Sequence, residues 1–226
     1  MSLPTLPTTA KYFVIAGALL LATLLAYALA YPQLPAQIPI HWNTQGVVNG
    51  YGPRGTLLLL GPGGMLGVLV LFGLLRRLSP RDYEVDSFRP TYLYLMLVLV
   101  VLLAYLFGVL LWAALVGPQD VLRMVLGGVG VLFMLIGNVL GKVRRNFFVG
   151  IRTPWTLASE RVWYATHRLA AKVWVAGGLL SLLGLMLGLP IWGMVALWLA
   201  AALWPMAYSL LLYRRLAQSG ELDRSP

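Results

Sequence analysis

The sequence predicts an all-α integral membrane protein with six transmembrane helices and a small extracytoplasmic β-hairpin loop. Of its 226 residues, 60% are hydrophobic and only 11% are charged. A soluble domain of this size needs more charged residues to cover its surface. Apolar stretches of about 20 residues, long enough to cross a bilayer as helices, recur along the chain. The absence of cysteine excludes disulfides and thiolate metal sites.

The predicted spans follow the lengths of the apolar runs. They cover residues 12–31, 56–75, 91–116, 121–140, 169–189 and 190–213. In the second span, Pro62 among glycines predicts a kink near the outer end. The last two spans have almost no loop between them, so Gly188 and Pro190 predict a tight hairpin. Residues 27–30 resemble a signal-peptidase site, but a long apolar run preceded by one lysine favours an uncleaved anchor.

The lysine and arginine residues are divided unequally between the two sides of the membrane. With the spans placed in this way, 15 of the 17 fall on the side of the termini, Arg81 and Arg224 among them, and only Arg54 and Arg123 fall on the other. The positive-inside rule assigns the richer side to the cytoplasm. We therefore expect cytoplasmic N- and C-termini. The net charge of +10 follows from this topology and predicts no direct nucleic-acid binding.

Small residues at helical spacing predict which spans touch. They are Gly127, Gly130, Gly137 and Gly141 on the fourth span, and Gly177, Ser181, Gly184 and Gly188 on the fifth. Such faces allow two backbones to approach closely in lipid. We expect the fourth and fifth spans to pack together and to hold the segment between them as a fixed structure.

The only sizeable extracytoplasmic segment lies between the first two spans. Residues 38–43 alternate in the manner of a strand. Residues 44–46 predict a turn, with a return strand that starts at Val47. Asn49 and Gly50 are a second turn signal.

His41 in this segment has no neighbouring ligand with which to form a metal site. We expect a structural histidine that hydrogen-bonds to backbone beside Trp42. Contact with a ligand is the alternative.

The longest polar interruption runs from residue 146 to residue 168. Pro154 disfavours helix at Thr153, so the segment is not helical throughout. Thr156 is the predicted N-cap of a helix that continues into the fifth span without a break. Five residues of this helix share one face: Glu160, Trp163, His167, Ala170 and Trp174. Their spacing predicts an amphipathic surface at the membrane boundary.

Three interpretations of this polar segment stay open. In the first, its basic residues hold the topology and its tryptophans anchor the interface. In the second, it binds a protein, because Trp and Arg dominate interface hot spots. In the third, Glu160 and His167 are a catalytic acid and base, but they lie roughly 10 Å apart along a helix, too far for a direct pair. We expect no enzyme, no cofactor and no metal.

A small-molecule or ion transporter is the alternative from a different class. Substrate pathways need ionisable residues inside the spans, and the predicted spans contain no Asp or Glu. We expect Asn138 in the fourth span to point into the bundle, because an amide that faces lipid is costly. Asn138 and the kink in the second span are the two features that keep a polar pathway, and with it the transporter alternative, open.

Two stretches of the sequence match one known family. Residues 137–180, which contain the run GIRTPWTL, resemble the hallmark segment of the SdpI-type membrane immunity protein family. The matching positions are Gly137, Asn138, Lys142, Arg144, Asn146, Gly150 through Leu157, Trp163, Thr166, His167 and Arg168. Residues 38–52 resemble the outer-loop motif of an uncharacterised N-terminal domain that is common in that family. Arg145 and Ala171 stand where the pattern commonly has proline and glycine.

The resemblance implies a protein of the bacterial cytoplasmic membrane that gives immunity against a secreted, membrane-active peptide toxin of the sporulation-delaying type. It also implies signalling, in which the membrane protein captures a cytosolic transcriptional repressor. Membrane lipid is the third expected partner. The chain divides into an N-terminal two-helix module of residues 1–75, a middle part of residues 76–136 and an SdpI-like segment of residues 137–226.

Two groups of residues are the candidates for toxin or partner binding. The outer group is His41, Trp42, Asn43, Gly50 and Tyr51. The inner group is Asn138, Lys142, Asn146, Gly150, Arg152, Thr153, Pro154, Trp155, Thr156, Glu160, Trp163, Thr166, His167 and Arg168. Arg152 is the first candidate, because a cation beside Trp155 can bind a carboxylate or stack on an aromatic ring. The identity of the toxin and the oligomeric state stay open.

Overall fold

The computed structural model describes residues 9–80 and 84–222. Arg81 and Arg224, which the charge count places on the cytoplasmic side, lie outside this part of the chain. Six helices in the described part are long and apolar enough to cross a membrane. Together with a two-stranded antiparallel sheet, they confirm the predicted fold class of a multi-pass membrane protein.

The helices and strands occur in the order that the sequence predicts. The first half of the chain contains α1 (Ala10–Ala30), β1 (Gln37–Trp42), β2 (Val48–Pro53), α2 (Thr56–Leu78) and α3 (Arg89–Leu115). The second half contains α4 (Val121–Leu140), the short α5 (Pro154–Ala158), α6 (Glu160–Met186) and α7 (Ile191–Gln218).

The chain divides into two compact units. The first unit comprises residues up to 73 together with residues 93–129, and it includes α1, the sheet and most of α2 and α3. The second unit comprises residues 74–92 together with residues from 130 onward, and it includes the second half of α4 with α5, α6 and α7. The three-part division expected from the sequence stays a prediction.

In the first unit, α1, α2 and α3 meet at fully buried apolar side chains. Ala16, Met65 and Val100, one from each helix, have no exposed surface. The irregularity predicted for the second span is a π-helical turn, Leu59–Gly63, with Pro62 inside it. Proline lacks the N–H that a regular helix requires, and the wider turn accommodates it within a continuous span.

The predicted hairpin is present between α1 and α2. Ile38 lies opposite Gly52, and His41 lies opposite Gly50. Asn49 and Gly50 lie within β2, so the second turn predicted at this pair is wrong. Gly50 pairs with His41 of β1, so the hairpin has a single turn.

Asn43 closes that turn, as expected for residues 44–46. Its backbone N–H donates to the Val47 carbonyl at 2.9 Å. Its side-chain Oδ1 accepts from the N–H groups of Gln45 and Val47, at 3.0 and 2.9 Å. Gly46 has φ +78°, a conformation that favours glycine. The turn is therefore held by one side chain and one glycine.

Arg54 attaches the hairpin to the end of α1. Its guanidinium lies 4.0 Å from the centre of the Tyr31 ring. It also donates to the carbonyls of Tyr31 and Leu34, at 3.4 Å each. Carbonyls at the C-terminal end of a helix favour a cation. Ile38 of β1 completes the attachment, because it is fully buried in a cluster with Ala30, the last residue of α1.

In the second unit, α4 and α6 pack together through small residues, as predicted. A Cβ atom added at Gly130 would lie 2.7 Å from Ser181 Oγ, and one added at Gly137 would lie 3.0 Å from the Ala171 carbonyl oxygen. A Cβ atom at Gly178 would meet the Gly130 carbonyl oxygen. The two backbones are thus too close for side chains at these positions.

Part of the small-residue face predicted on the fifth span contacts α7 instead of α4. A Cβ atom at Gly177 would lie 3.3 Å from Ala201 Cβ. The tight hairpin between the last two spans is confirmed: Gly188 has φ +70°, and the Leu189 N–H donates to the Gly184 carbonyl at 2.8 Å.

Candidate functional site

The segment that joins α4 to α6, residues 141–159, starts with a buried contact to α6. The Lys142 N–H donates to the Val139 carbonyl at 2.8 Å, which turns the chain out of α4. Val143 is buried, and its carbonyl accepts a hydrogen bond of 2.8 Å from the Trp163 indole N–H. Trp163 is fully buried, so this bond fixes the start of the α4–α6 loop against the helix bundle.

Asn146 forms the centre of the first half of this loop. Its Nδ2 donates to the carbonyls of Arg144 and Val149, at 2.9 and 2.8 Å. Its Oδ1 accepts from the N–H groups of Phe148 and Val149, at 2.8 and 2.7 Å. These four bonds use the two donors and both acceptor positions of the amide, which is fully buried. One side chain therefore replaces the backbone hydrogen bonds of a regular element.

His167 on α6 holds the second half of the loop. Its Nε2 accepts from the Ile151 N–H at 3.0 Å, and its Nδ1 lies 2.8 Å from the Trp163 carbonyl oxygen. Because a carbonyl only accepts, Nδ1 carries the proton. The imidazole is fully buried and stacks on the Trp163 ring with the centroids 4.1 Å apart. Both ring nitrogens are thus occupied by backbone groups.

Gly150 is the residue that lets the loop reach this histidine. It has φ +114°, where only glycine is unstrained. A Cβ atom at this position would overlap His167 Nε2. The glycine of the GIRTPWTL run is therefore required both by the backbone conformation and by the close approach to the imidazole.

The helix start predicted at Thr156 is wrong. Thr153 is the N-cap of α5, with Pro154 at the first helical position, where its missing N–H costs nothing. The Thr153 N–H donates to Thr156 Oγ1 at 2.9 Å, and the Thr156 N–H donates back to Thr153 Oγ1 at 3.2 Å. Ser159 is extended and caps α6 separately, so the helix into the fifth span begins at Glu160. The sequence contains a signal for this cap, because Ser159 directly precedes the acidic Glu160.

Thr153 also ties the loop to α7. Its Oγ1 lies 3.0 Å from Ser209 Oγ, and both side chains are buried. Ser209 was not among the residues singled out from the sequence, because a single serine in an apolar span carries no local signal.

The amphipathic surface predicted for the start of α6 is not present. Trp163 and His167 are fully buried between the helices and the loop, while Glu160 on the same stripe is exposed. The inward orientation predicted for Asn138 is also wrong, because its side chain is exposed. The preceding Gly137 is the residue that meets α6, and this contact turns Asn138 away from the interior.

The inner group divides into buried and exposed members. The buried ones are Asn146, Thr153, Thr156, Trp163, Thr166 and His167. The exposed ones are Asn138, Lys142, Gly150, Arg152, Pro154, Glu160 and Arg168, and Trp155 is half-buried. Arg152 donates to the Phe147 carbonyl. Every buried member except Thr166 makes hydrogen bonds that build the loop or hold it against α6. Three of the exposed members are basic, namely Lys142, Arg152 and Arg168. The role of the group in binding stays a prediction.

Two ion pairs of the loop and its flanks were not anticipated. Arg145 lies 3.8 Å from Glu160 and also donates to the Leu157 carbonyl at 3.1 Å. Arg161 pairs with Glu221, beyond α7, at 3.0 Å. Residues this far apart along the chain have no characteristic spacing, so no sequence pattern predicts that they pair.

The outer group lies in the hairpin of the first unit. His41 is exposed, and its Nδ1 lies 2.5 Å from the Asn49 side-chain oxygen, so the expected bond to backbone is wrong. A Cβ atom at Gly50 would lie 2.9 Å from His41 Cβ, so the histidine leans over the glycine. Trp42 packs against a buried cluster of α3 and α4. Tyr51 is 64% exposed, so both His41 and Tyr51 are accessible from outside the hairpin.

Comparisons with known proteins agree on one family. The SdpI/YfhL protein family matches residues 142–209, and a domain of unknown function, DUF1648, matches residues 18–66. The chain is similar to the Immunity protein SdpI of Bacillus subtilis (strain 168), with 30% identity over 149 residues, which cover 66% of this chain and 69% of that protein. No solved structure matches the chain. The chain therefore belongs to the SdpI/YfhL family of multi-pass membrane proteins.

Proposed function

We propose that the protein gives a bacterial cell immunity against a secreted, membrane-active peptide toxin. The observation that carries this proposal is the similarity to the Immunity protein SdpI over two thirds of both chains. The region that matches the SdpI/YfhL family, residues 142–209, contains the whole GIRTPWTL run and α6. The protein acts by binding, without a catalytic step.

The α4–α6 loop is the proposed binding surface for a partner. Its backbone is held by Asn146 and His167, which are fully buried and fully hydrogen-bonded. Arg152 projects from it with an exposed side chain. Among the described residues, that side chain has one hydrogen-bond partner, the Phe147 carbonyl, while its guanidinium offers five N–H donors. A rigid loop with a donor-rich arginine suits an acidic group on the partner.

The proposed topology places the termini and this loop in the cytoplasm and the hairpin outside. The excess of basic residues on one side supports it. In this orientation the hairpin, with exposed His41 and Tyr51, faces a secreted toxin. The α4–α6 loop faces cytosolic proteins, which suits the capture of a transcriptional repressor as a second, signalling role.

Membrane potential in toxin-sensitive cells tests the immunity proposal. Cells express the wild type, Arg152→Ala or Arg144→Ala at matched abundance and receive a sporulation-delaying-type peptide. Arg144 is a second exposed arginine of the same loop, whose side chain serves as the matched control. We expect the wild type and Arg144→Ala to preserve the potential and Arg152→Ala to lose it. Depolarisation in all three strains contradicts immunity, and protection in all three assigns it to residues other than Arg152.

A further inference from the structure

A basic cleft separates the start of α6 from the end of α7. It has a volume of about 400 Å³ and lies wholly in the second unit. Three arginines line it, Arg161 and Arg168 from α6 and Arg215 from α7. Tyr208 and Ser219 add hydroxyl groups to the same cleft.

The charges within the cleft do not cancel. Arg161 is paired with Glu221, the carboxylate that lines the cleft, at 3.0 Å. In the described part of the chain, no carboxylate lies within ion-pair distance of Arg168 or Arg215, and both side chains are exposed. The described residues that line the cleft therefore carry an excess of two positive charges, one from an arginine on each of the two helices. Guanidinium groups placed in this way bind phosphate through paired hydrogen bonds.

The remaining walls of the cleft are apolar. Ala165, Leu212 and Leu216 line it next to the arginines. The cleft also lies at the ends of two helices that are long and apolar enough to span a membrane. At such a place a phospholipid can put its phosphate on the arginines and its glycerol and first acyl carbons on the leucines. Basic pockets between transmembrane helices bind anionic head groups in the same manner.

We propose that this cleft binds the phosphate of an anionic phospholipid. The proposal rests on the cleft and not on the immunity proposal, although Arg168 also belongs to the inner group. A free phosphate ion shares the charge but not the apolar part, so the leucine wall favours the lipid. Each basic side chain near an anionic head group adds to the binding affinity. We therefore expect the removal of two arginines to weaken binding by about tenfold or more.

Equilibrium binding to the purified full-length protein in neutral detergent tests this site. The probes are dioleoylphosphatidylglycerol, dioleoylphosphatidylcholine and inorganic phosphate. We expect phosphatidylglycerol to bind about tenfold more tightly than phosphatidylcholine, and inorganic phosphate at the same concentration not to displace it. Equal binding of the two lipids overturns the proposal, and displacement by inorganic phosphate overturns the assignment to lipid.

Variants locate the binding within the molecule. Arg168→Gln with Arg215→Gln is expected to lose about tenfold or more in phosphatidylglycerol affinity. Arg144→Gln with Arg214→Gln removes the same charge from exposed positions outside the cleft, and we expect a change of less than about twofold. Equal losses in both variants overturn the cleft as the site. Ala165→Phe keeps every arginine and places an aromatic ring in the cleft, so unchanged binding by this variant also overturns it.

Discussion

The Nε2 atom of His167 accepts the backbone N–H of Ile151 at 3.0 Å, across 16 residues of sequence. The other ring nitrogen is 2.8 Å from the Trp163 carbonyl oxygen on the same helix. The histidine thus joins the GIRTPWTL run to α6 through two backbone groups. It is a structural centre of the α4–α6 loop, and four measurements follow from the contacts around it and around the hairpin.

His167→Ala is expected to lower the free energy of unfolding by about 2 kcal/mol or more, because the Ile151 N–H loses its acceptor and the Trp163 ring loses its stacking partner. Thermal unfolding in detergent measures the change. Lys172→Ala, on an exposed position of the same helix, is the control and should unfold like the wild type. An unchanged midpoint for His167→Ala would mean that the imidazole does not hold the loop.

Gly150→Ala is expected to cost about 1–3 kcal/mol, because φ +114° is strained for alanine and the added Cβ overlaps His167 Nε2. Gly73→Ala in α2 is the matched control: a Cβ atom there meets nothing within 4 Å, and alanine is the better helix former. Unfolding temperatures of the two variants should therefore move in opposite directions. A Gly150→Ala variant as stable as the control contradicts the close approach.

Asn146→Asp retains both acceptor positions but removes the donors to Arg144 and Val149 and places a charge in a buried site. We expect a loss of about 3 kcal/mol, concentrated in the loop. Limited trypsin digestion, which cuts at the arginines of this loop, should therefore become faster. Asn138→Asp, an exposed position, should digest at the wild-type rate. Equal digestion of the two variants would show that the amide network does not order the loop.

Arg54→Ala is expected to loosen the hairpin from α1, because the contact with the Tyr31 ring and two carbonyl bonds are lost together. The combined loss is about 1–2 kcal/mol. Hydrogen exchange at the amides of β1 and β2 should accelerate by about tenfold. Arg123→Ala, the second basic residue on the hairpin's side of the predicted topology, is the control. If both variants accelerate exchange equally, net charge and not the Arg54 contact holds the hairpin.

Sequence patterns predicted the features that depend on short stretches of chain. Hydrophobic length located all six spans, and the alternation before Asn43 located the hairpin. Glycine spacing correctly paired α4 with α6, because small residues at i, i+3 and i+4 mark a face that can approach a neighbour. The family motif located the α4–α6 loop, which polar side chains hold in its folded conformation.

Patterns failed where the outcome depended on helix rotation or on distant partners. Asn138 was expected inside and lies outside, because the contact at Gly137 sets the rotation of α4. Trp163 and His167 were expected on a surface and are buried, because the loop folds over them. The Arg161–Glu221 pair had no signal, since 60 residues separate its members.

The sequence by itself determined that the described part of this chain has six helices long and apolar enough to cross a membrane, that one interhelical loop is unusually polar, and to which family the chain belongs. Those properties reside in hydrophobic length, composition and short motifs. Only the tertiary structure decided that Asn146 and His167 build the loop while Arg152 projects from it. Helical periodicity states which residues share a face, but the neighbours that pack against that face decide whether it is interior or surface.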